Sequence, residues 1–341
     1  MRILAYAILA YAILACALLG LALEGGARLA RPLLARSTPA YYYRQYLEQL
    51  VVPDPELVWK GRPNADVTIE NPLGEKISYK LNALGWRDRD FNPLEKVGNA
   101  LVLGDSFSFG LGVEYGKRYT DLLENGFRGL DVWNRGVMGY APNQYLKLAE
   151  RWLPPVPWKF VLVQLSNNDV ADVAQHEWVN RHSSTGIPAA LRPPATHGMV
   201  SQWSEAWNLA TYFGVLSNPR LSEERLQDGV DRLLFSMREI AKLANERKIP
   251  MLVLMASDWG EPAYGKKIAD AYRNGMIAVA KEQGFGLAEA GPIDLLPAPD
   301  LHWSAKGHHR VAEMLVPAIR DILFAAVPTG IPEKAKKKQG R

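Results

Sequence analysis

Leu101-Val-Leu-Gly-Asp-Ser-Phe-Ser-Phe-Gly110 is an apolar strand that stops at Gly104-Asp105-Ser106 and sets a serine on the turn that follows. A hydroxyl is a weak nucleophile until a base takes its proton. The reading of Ser106 as a nucleophile therefore stands only if the rest of the chain supplies a base, a group that orients it and donors for an oxyanion. Read alone, Ser106 is better explained as the N-cap of a following helix.

Candidates for all three lie further on. Pro299-Asp-Leu-His-Trp-Ser-Ala-Lys-Gly-His-His309 carries His302 just ahead of a helix capped by Ser304, with Asp300 two residues earlier and able to turn back on the ring. Asn134-Arg-Gly-Val-Met-Gly139 follows a short strand at Asp131-Val-Trp133 and ends in a glycine whose N–H can approach a ligand closely. Phe160-Val-Leu-Val-Gln-Leu-Ser-Asn-Asn-Asp169 is a buried-type strand that runs into two amides, and an amide NH2 can serve an oxyanion. The structural alternatives are a turn glycine for Gly139 and a strand-end cap for Asn168 or Asp169. Asp105 reads as the anchor of its turn, and Asp169 as the group that orients Asn168. Trp303 is a candidate surface for a sugar ring or a packing residue of the last helix.

These motifs, in this order, resemble the SGNH or GDSL hydrolase superfamily over about residues 97–325. Position by position, the resemblance implies Ser106 as nucleophile, the N–H groups of Ser106 and Gly139 with the Asn168 amide as oxyanion hole, and Asp300 and His302 as the remaining triad members. No cofactor and no metal is implied. There are two departures. Ser166-Asn-Asn-Asp169 stands where the family usually has Gly-x-Asn-Asp, and Asp300-Leu-His302 where it usually has Asp-x-x-His. The shorter final block is similar to the branch containing alginate acetylation proteins, which implies an acylated extracytoplasmic glycan or similar ester and leaves hydrolysis or transfer open. A non-catalytic subunit of a membrane complex that keeps the fold is the rival reading.

Ile3 to Leu23 is a charge-free run of 21 residues, about 32 Å as a helix, which matches a bilayer core. It is expected to be an uncleaved anchor with the lipid bilayer as its partner. A signal peptide cleaved near Ala22 is the competitor, and Ile13-Leu-Ala-Cys16 only loosely resembles a lipobox. Flanking charges are split between Arg2 on one side and Arg28, Arg31 and Arg36 on the other. The family resemblance places the globular part outside the cytoplasm, in the periplasm. Cys16, the lone cysteine, lies in the span and reports no redox compartment.

The tail Glu333-Lys-Ala-Lys-Lys-Lys-Gln-Gly-Arg341 carries five positive charges and one negative, the whole of the chain's +4. The remainder is neutral and offers no nucleic-acid surface. His302, His308 and His309 invite a metal reading, but adjacent helical residues diverge by about 100° and no cysteine or carboxylate cluster completes a shell.

The domain plan is therefore an anchor over 1–36, an appendage over 37–96, a hydrolase-like domain over 97–328 and a basic tail over 329–341. Tyr41 to Leu50 reads as a juxtamembrane helix with interfacial tyrosines, and Val67 to Ile69 with Lys76 to Lys80 as strands of a small β appendage. In the core, helices are expected over Thr120 to Arg128, Asn143 to Trp152, Asp231 to Arg247, Lys266 to Gln283 and Ala305 to Phe324. Strands are expected at Leu101 to Leu103, Val132, Val161 to Gln164, Met251 to Met255 and Gly286 to Ala288. That alternation predicts an α/β, flavodoxin-like three-layer sandwich on a five-stranded parallel sheet. Residues 170–230, rich in proline and tryptophan with little periodicity, are expected to form a lid over the site.

Overall fold

The computed structural model describes residues 2–37, 39–90, 98–166, 168–174, 221–256 and 265–324. Helix α1 (Arg2–Ser37) exposes Ile8, Leu9, Leu14, Leu18 and Leu21. Such a surface gains nothing from water, and its segment Ile8–Arg31 is long and apolar enough to cross a membrane, a property that suits a signal sequence and an anchor alike. Near its end Ala27 is buried and Arg31 pairs with Glu48, so the last turns of α1 lie along helix α2 (Pro39–Leu50).

Two antiparallel hairpins follow, β1 (Val51–Asp54) with β2 (Val58–Gly61) and β3 (Asp66–Glu70) with β4 (Lys76–Lys80). Strand β4 shows the period-two alternation read from sequence, with Ile77 and Tyr79 inward and the lysines outward.

The main sheet contains β5 (Gly98–Leu103), β6 (Leu130–Asn134), β7 (Trp158–Leu165), β8 (Met251–Ala256) and β9 (Gly286–Ala290). All pairs are parallel and the spatial order is β6-β5-β7-β8-β9. Every residue of β5 and β8 is buried, as expected of strands covered on both faces. Alternate residues serve different layers. Leu101 and Leu103 pack toward α5 (Pro142–Trp152), α6 (Glu223–Glu246) and α7 (Lys266–Gln283), whereas Ala100 and Val102 pack toward α4 (Tyr119–Gly126) and α8 (Ala305–Phe324). The strand order reverses beside β5. A crevice at the carboxyl ends of β5 and β7 is where such a sheet binds its ligand.

Helices α7 and α8 have the bounds expected from sequence, and the strands run one to three residues beyond theirs. Helix α6 is a correction, since it begins at Glu223 rather than Asp231. Ser222 Oγ caps it by accepting the Arg225 N–H, and Glu223 and Glu224 fill its first turn. The proposed lid over 170–230 is thus helical at its far end, and its middle, 175–220, lies outside the described residues, as does the tail.

His308 faces the core from α8, stacked on Tyr119 and edge-on to Trp303. Its Nδ1 accepts the Tyr119 main-chain N–H at 3.2 Å, so the neutral ring carries its proton on Nε2. Burial, reinforced by Arg118, pushes its pKa down to about 3 from 6.5. As pH falls through 6.5 the unfolded chain takes up a proton that the folded chain refuses. Stability then drops with pH, by about 2 kcal/mol between pH 7 and pH 5. His308→Asn, whose Oδ1 can replace Nδ1 as acceptor without titrating, is expected to flatten this acid limb in urea unfolding. Equal pH slopes for both proteins would rule the argument out. His309 is exposed beside Glu313, so the two histidines do not converge.

Candidate active site

Asp105 caps the short helix α3 (Ser106–Phe109), its Oδ1 accepting the Phe107 N–H at 2.9 Å. Ser106 is therefore the first helical residue and not the cap, and its hydroxyl is left to face His302. Ser106 Oγ lies 2.6 Å from His302 Nε2, and His302 Nδ1 lies 2.7 Å from Asp300 Oδ1. A buried carboxylate accepts only, so Nδ1 carries the proton and Nε2 turns its lone pair to the serine. The imidazole is gripped by Phe107 and, edge-on, by Tyr43. Asp300 is fully buried, and its Oδ1 also accepts the His302 N–H. The close spacing is built by Leu301 at φ 64°, a left-handed conformation that costs a side-chain-bearing residue about 1–2 kcal/mol.

The loop after β6 is tied to the nucleophile turn: the Val137 N–H donates to Gly104 O, and Asn134 Nδ2 donates to Ser108 O at 2.5 Å. Gly139 sits in this loop at φ 72°, a conformation side chains resist, and a Cβ there would come 3.3 Å from the Trp59 ring. Trp59, on β2, donates to Met138 O at 3.0 Å and accepts a bond from Tyr140 Oη through its carbonyl at 2.9 Å.

Asn168 ends the turn after β7. Its Nδ2 donates to Asp172 Oδ2 at 2.7 Å, and its Oδ1 lies 2.6 Å from Ser166 Oγ. Ser166 Oγ also reaches Asp105 Oδ2 at 2.5 Å, so the residue in the family's glycine position links the nucleophile turn to the amide. The expected role of Asp169 is corrected: it accepts the Ser166 N–H and the Tyr145 hydroxyl, and Asp172 is the carboxylate on Asn168. Burial pushes Asp172 up to about 7, and burial with the neighbouring Asp105 holds Asp169 well above the usual carboxylate range. Of the two readings of Trp303, the packing residue is the one the structure has. It is fully buried between Phe107 and Tyr119 and presents no face to a sugar.

The stretch after the serine is held from the N-terminal segment. Arg87, buried over the Tyr79 ring, donates to Gly110 O at 2.5 Å and to Val113 O at 2.8 Å, and Asn71 donates to Gly112 O at 3.0 Å. Burial lowers the Arg87 pKa to about 10, which leaves it charged at neutral pH. Tyr42, Tyr43 and Tyr46 of α2 face the protein rather than a lipid interface. Tyr42 and Tyr46 are buried, and Tyr42 Oη donates to Asp300 Oδ2 at 2.6 Å. Sequence reading missed Tyr42, Tyr43, Trp59 and Asp172. Only Asp172 had a local signal, being four residues from Asn168 at the head of a helical turn.

Among the described residues no group of histidine, cysteine and carboxylate side chains is placed to hold a metal ion. Solved structures with similarity to the chain include TesA at 17% identity, covering 66% of this chain and 99% of that one with a TM-score of 0.45. Esterase EstA from Pseudoalteromonas sp. matches at 14% identity, 66% and 98% coverage and a TM-score of 0.42. A putative arylesterase from Agrobacterium tumefaciens matches at 19%, 67% and 100%, with a TM-score of 0.42. No curated protein matches. Residues 102–310 match the model of the GDSL-like Lipase/Acylhydrolase family, a span that contains Ser106, Gly139, Asn168, Asp300 and His302, and the chain belongs to that family.

Proposed function

We propose that this esterase-like hydrolase works through Ser106, His302 and Asp300 on an acylated, extracytoplasmic glycan or similar ester, with acetyl as the acyl group, and that α1 anchors it in the membrane. The observation that carries the catalytic part is the unbroken hydrogen-bonded line from Ser106 Oγ through the imidazole to Asp300. Ser106 Oγ attacks the ester carbonyl carbon while its proton passes to His302 Nε2. Asp300 offsets the charge this places on the ring. The oxyanion is received by the N–H groups of Ser106 and Gly139 and by the Asn168 hydrogen not used on Asp172. Collapse breaks the ester bond, and the leaving alcohol takes the proton from Nε2. Water or an acceptor hydroxyl then attacks acyl-Ser106 with His302 again as base, the acyl–Oγ bond breaks, and Nε2 returns the proton to Ser106 Oγ. The short Asp300-Leu-His302 block supports the glycan ester, and product analysis with and without an added glycan acceptor separates hydrolysis from transfer.

Nothing in this scheme uses residues 1–36. Besides the packing of the last turns of α1 along α2, the two are joined by an ion pair, Arg31 to Glu48, that is half-exposed and worth little. Removal of 1–36 is expected to yield a protein whose Ser106 reacts with a fluorophosphonate at the full-length rate. A truncated chain that is folded by circular dichroism yet takes no label would place part of the site in α1. A full-length protein that is folded and unlabelled would favour the non-catalytic subunit.

A further inference from the structure

The segment ahead of the hydrolase fold touches the triad itself. Asp300 presents three oxygens, and two of them belong to α2: Oδ2 accepts a bond from Tyr42 Oη at 2.6 Å, and the main-chain carbonyl accepts one from Tyr43 Oη. Tyr43 Oη is also 3.3 Å from His302 Nδ1. A phenol has one proton to give. Tyr42 uses its own on Oδ2, so the 2.6 Å contact between Tyr42 and Tyr46 is donated by Tyr46. The line of hydroxyls has one direction, and it ends on the carboxylate. Burial and the charge of Asp300 hold both Tyr42 and Tyr43 protonated far above their ordinary range, which keeps them donors.

The other side of Oδ2 is closed as well. Gly112 lies there at φ 76°, and a Cβ on it would stand 2.8 Å from Oδ2 and 2.2 Å from Leu296 Cδ1. Tyr79 Oη, edge-on to Tyr46, accepts the Gly112 N–H at 2.8 Å and holds this wall in place. A buried carboxylate with one partner pays for desolvation and is free to rotate, whereas a second donor on the far oxygen favours the charged form and fixes the rotamer. The turn that brings Asp300 to the imidazole is itself strained, with Leu301 at φ 64°.

We propose that Tyr42, with Tyr43 beside it, is a positioning residue of the triad, and that α2 is a working part of the active site rather than a spacer. The inference rests on the triad reading given above. It predicts that Tyr42 acts on the chemical step through Asp300 and not on substrate binding.

Tyr42→Phe in the full chain deletes one oxygen and keeps the ring. Loss of a hydrogen bond to a charged group is expected to lower kcat on a small aryl ester by about ten- to hundredfold, with KM within about twofold. The far-downfield proton resonance of the Asp300–His302 bond should shift or broaden. In an Asp300→Asn background the same change should cost less than about twofold, since the carboxylate it serves is gone. A kcat within twofold of wild type with that resonance unmoved, in a protein whose Ser106 still takes fluorophosphonate, overturns the proposal. Wild-type protein that takes no label on Ser106 instead defeats the esterase reading, and this inference with it. If Tyr42→Phe does not fold, Tyr46→Phe carries the test: it removes the donor behind Tyr42, a smaller loss of about three- to tenfold in kcat is expected, and an unchanged kcat overturns the proposal.

Discussion

Ser106→Ala is expected to reduce ester turnover by on the order of 10⁴-fold or more while leaving the unfolding midpoint close to wild type. The first helical position of α3 does not depend on the serine hydroxyl, because Asp105 supplies the cap and Ser108 Oγ bonds Tyr119 and Gln164 inside the turn. What the substitution removes is the one oxygen opposite His302 Nε2. Hydrolysis by the proposed oxyanion donors and a positioned water would set the residual rate. A variant that keeps half the wild-type rate would take Ser106 out of the mechanism.

Asp300→Asn is expected to fold and to lose up to about 10⁴-fold in activity, because an amide donor facing Nδ1 reverses the imidazole tautomer and leaves a proton, not a lone pair, toward Ser106. The pH-rate profile of the variant should reach a far lower plateau than that of the wild type. Asp294 is the control. Its Oδ1 faces Lys306 Nζ at 3.0 Å on the surface, and only its main-chain carbonyl supports the turn, by accepting the Ser304 N–H. Asp294→Asn should therefore cost little. Full activity in Asp300→Asn with collapse in Asp294→Asn would show that the wrong carboxylate has been paired with His302.

Elements written in local sequence were legible. The apolar strands around Leu101, Val161 and Met251 and the helices Lys266–Gln283 and Ala305–Phe324 are set by periodicity and flanking glycines, and the structure has them where the pattern puts them. The pairing of Ser106 with His302 was legible only through the order of the motifs, since 196 residues separate them. The start of α6 was read late because its first turns, Glu223 to Asp228, are charged and show no apolar stripe, although Ser222 followed by two glutamates is a start signal. The tyrosines of α2 were assigned to a lipid interface on the same amphipathic character that fits them to a buried carboxylate. A phenol at a membrane surface and a phenol donating to Asp300 look alike until the partner is known.

Tyr42 and Asp300 are 258 residues apart, and their bond ties α2 to the segment that follows the last strand of the sheet. A ribosome adds about 5–20 residues per second, so the phenol emerges some 10–50 s before the carboxylate it serves. Closing so long a loop comes late, after the strands between them have paired. A centre of the kind proposed would then be among the last parts to be completed, and a nascent molecule whose Asp300 and His302 have yet to emerge would have no means of cleaving an ester.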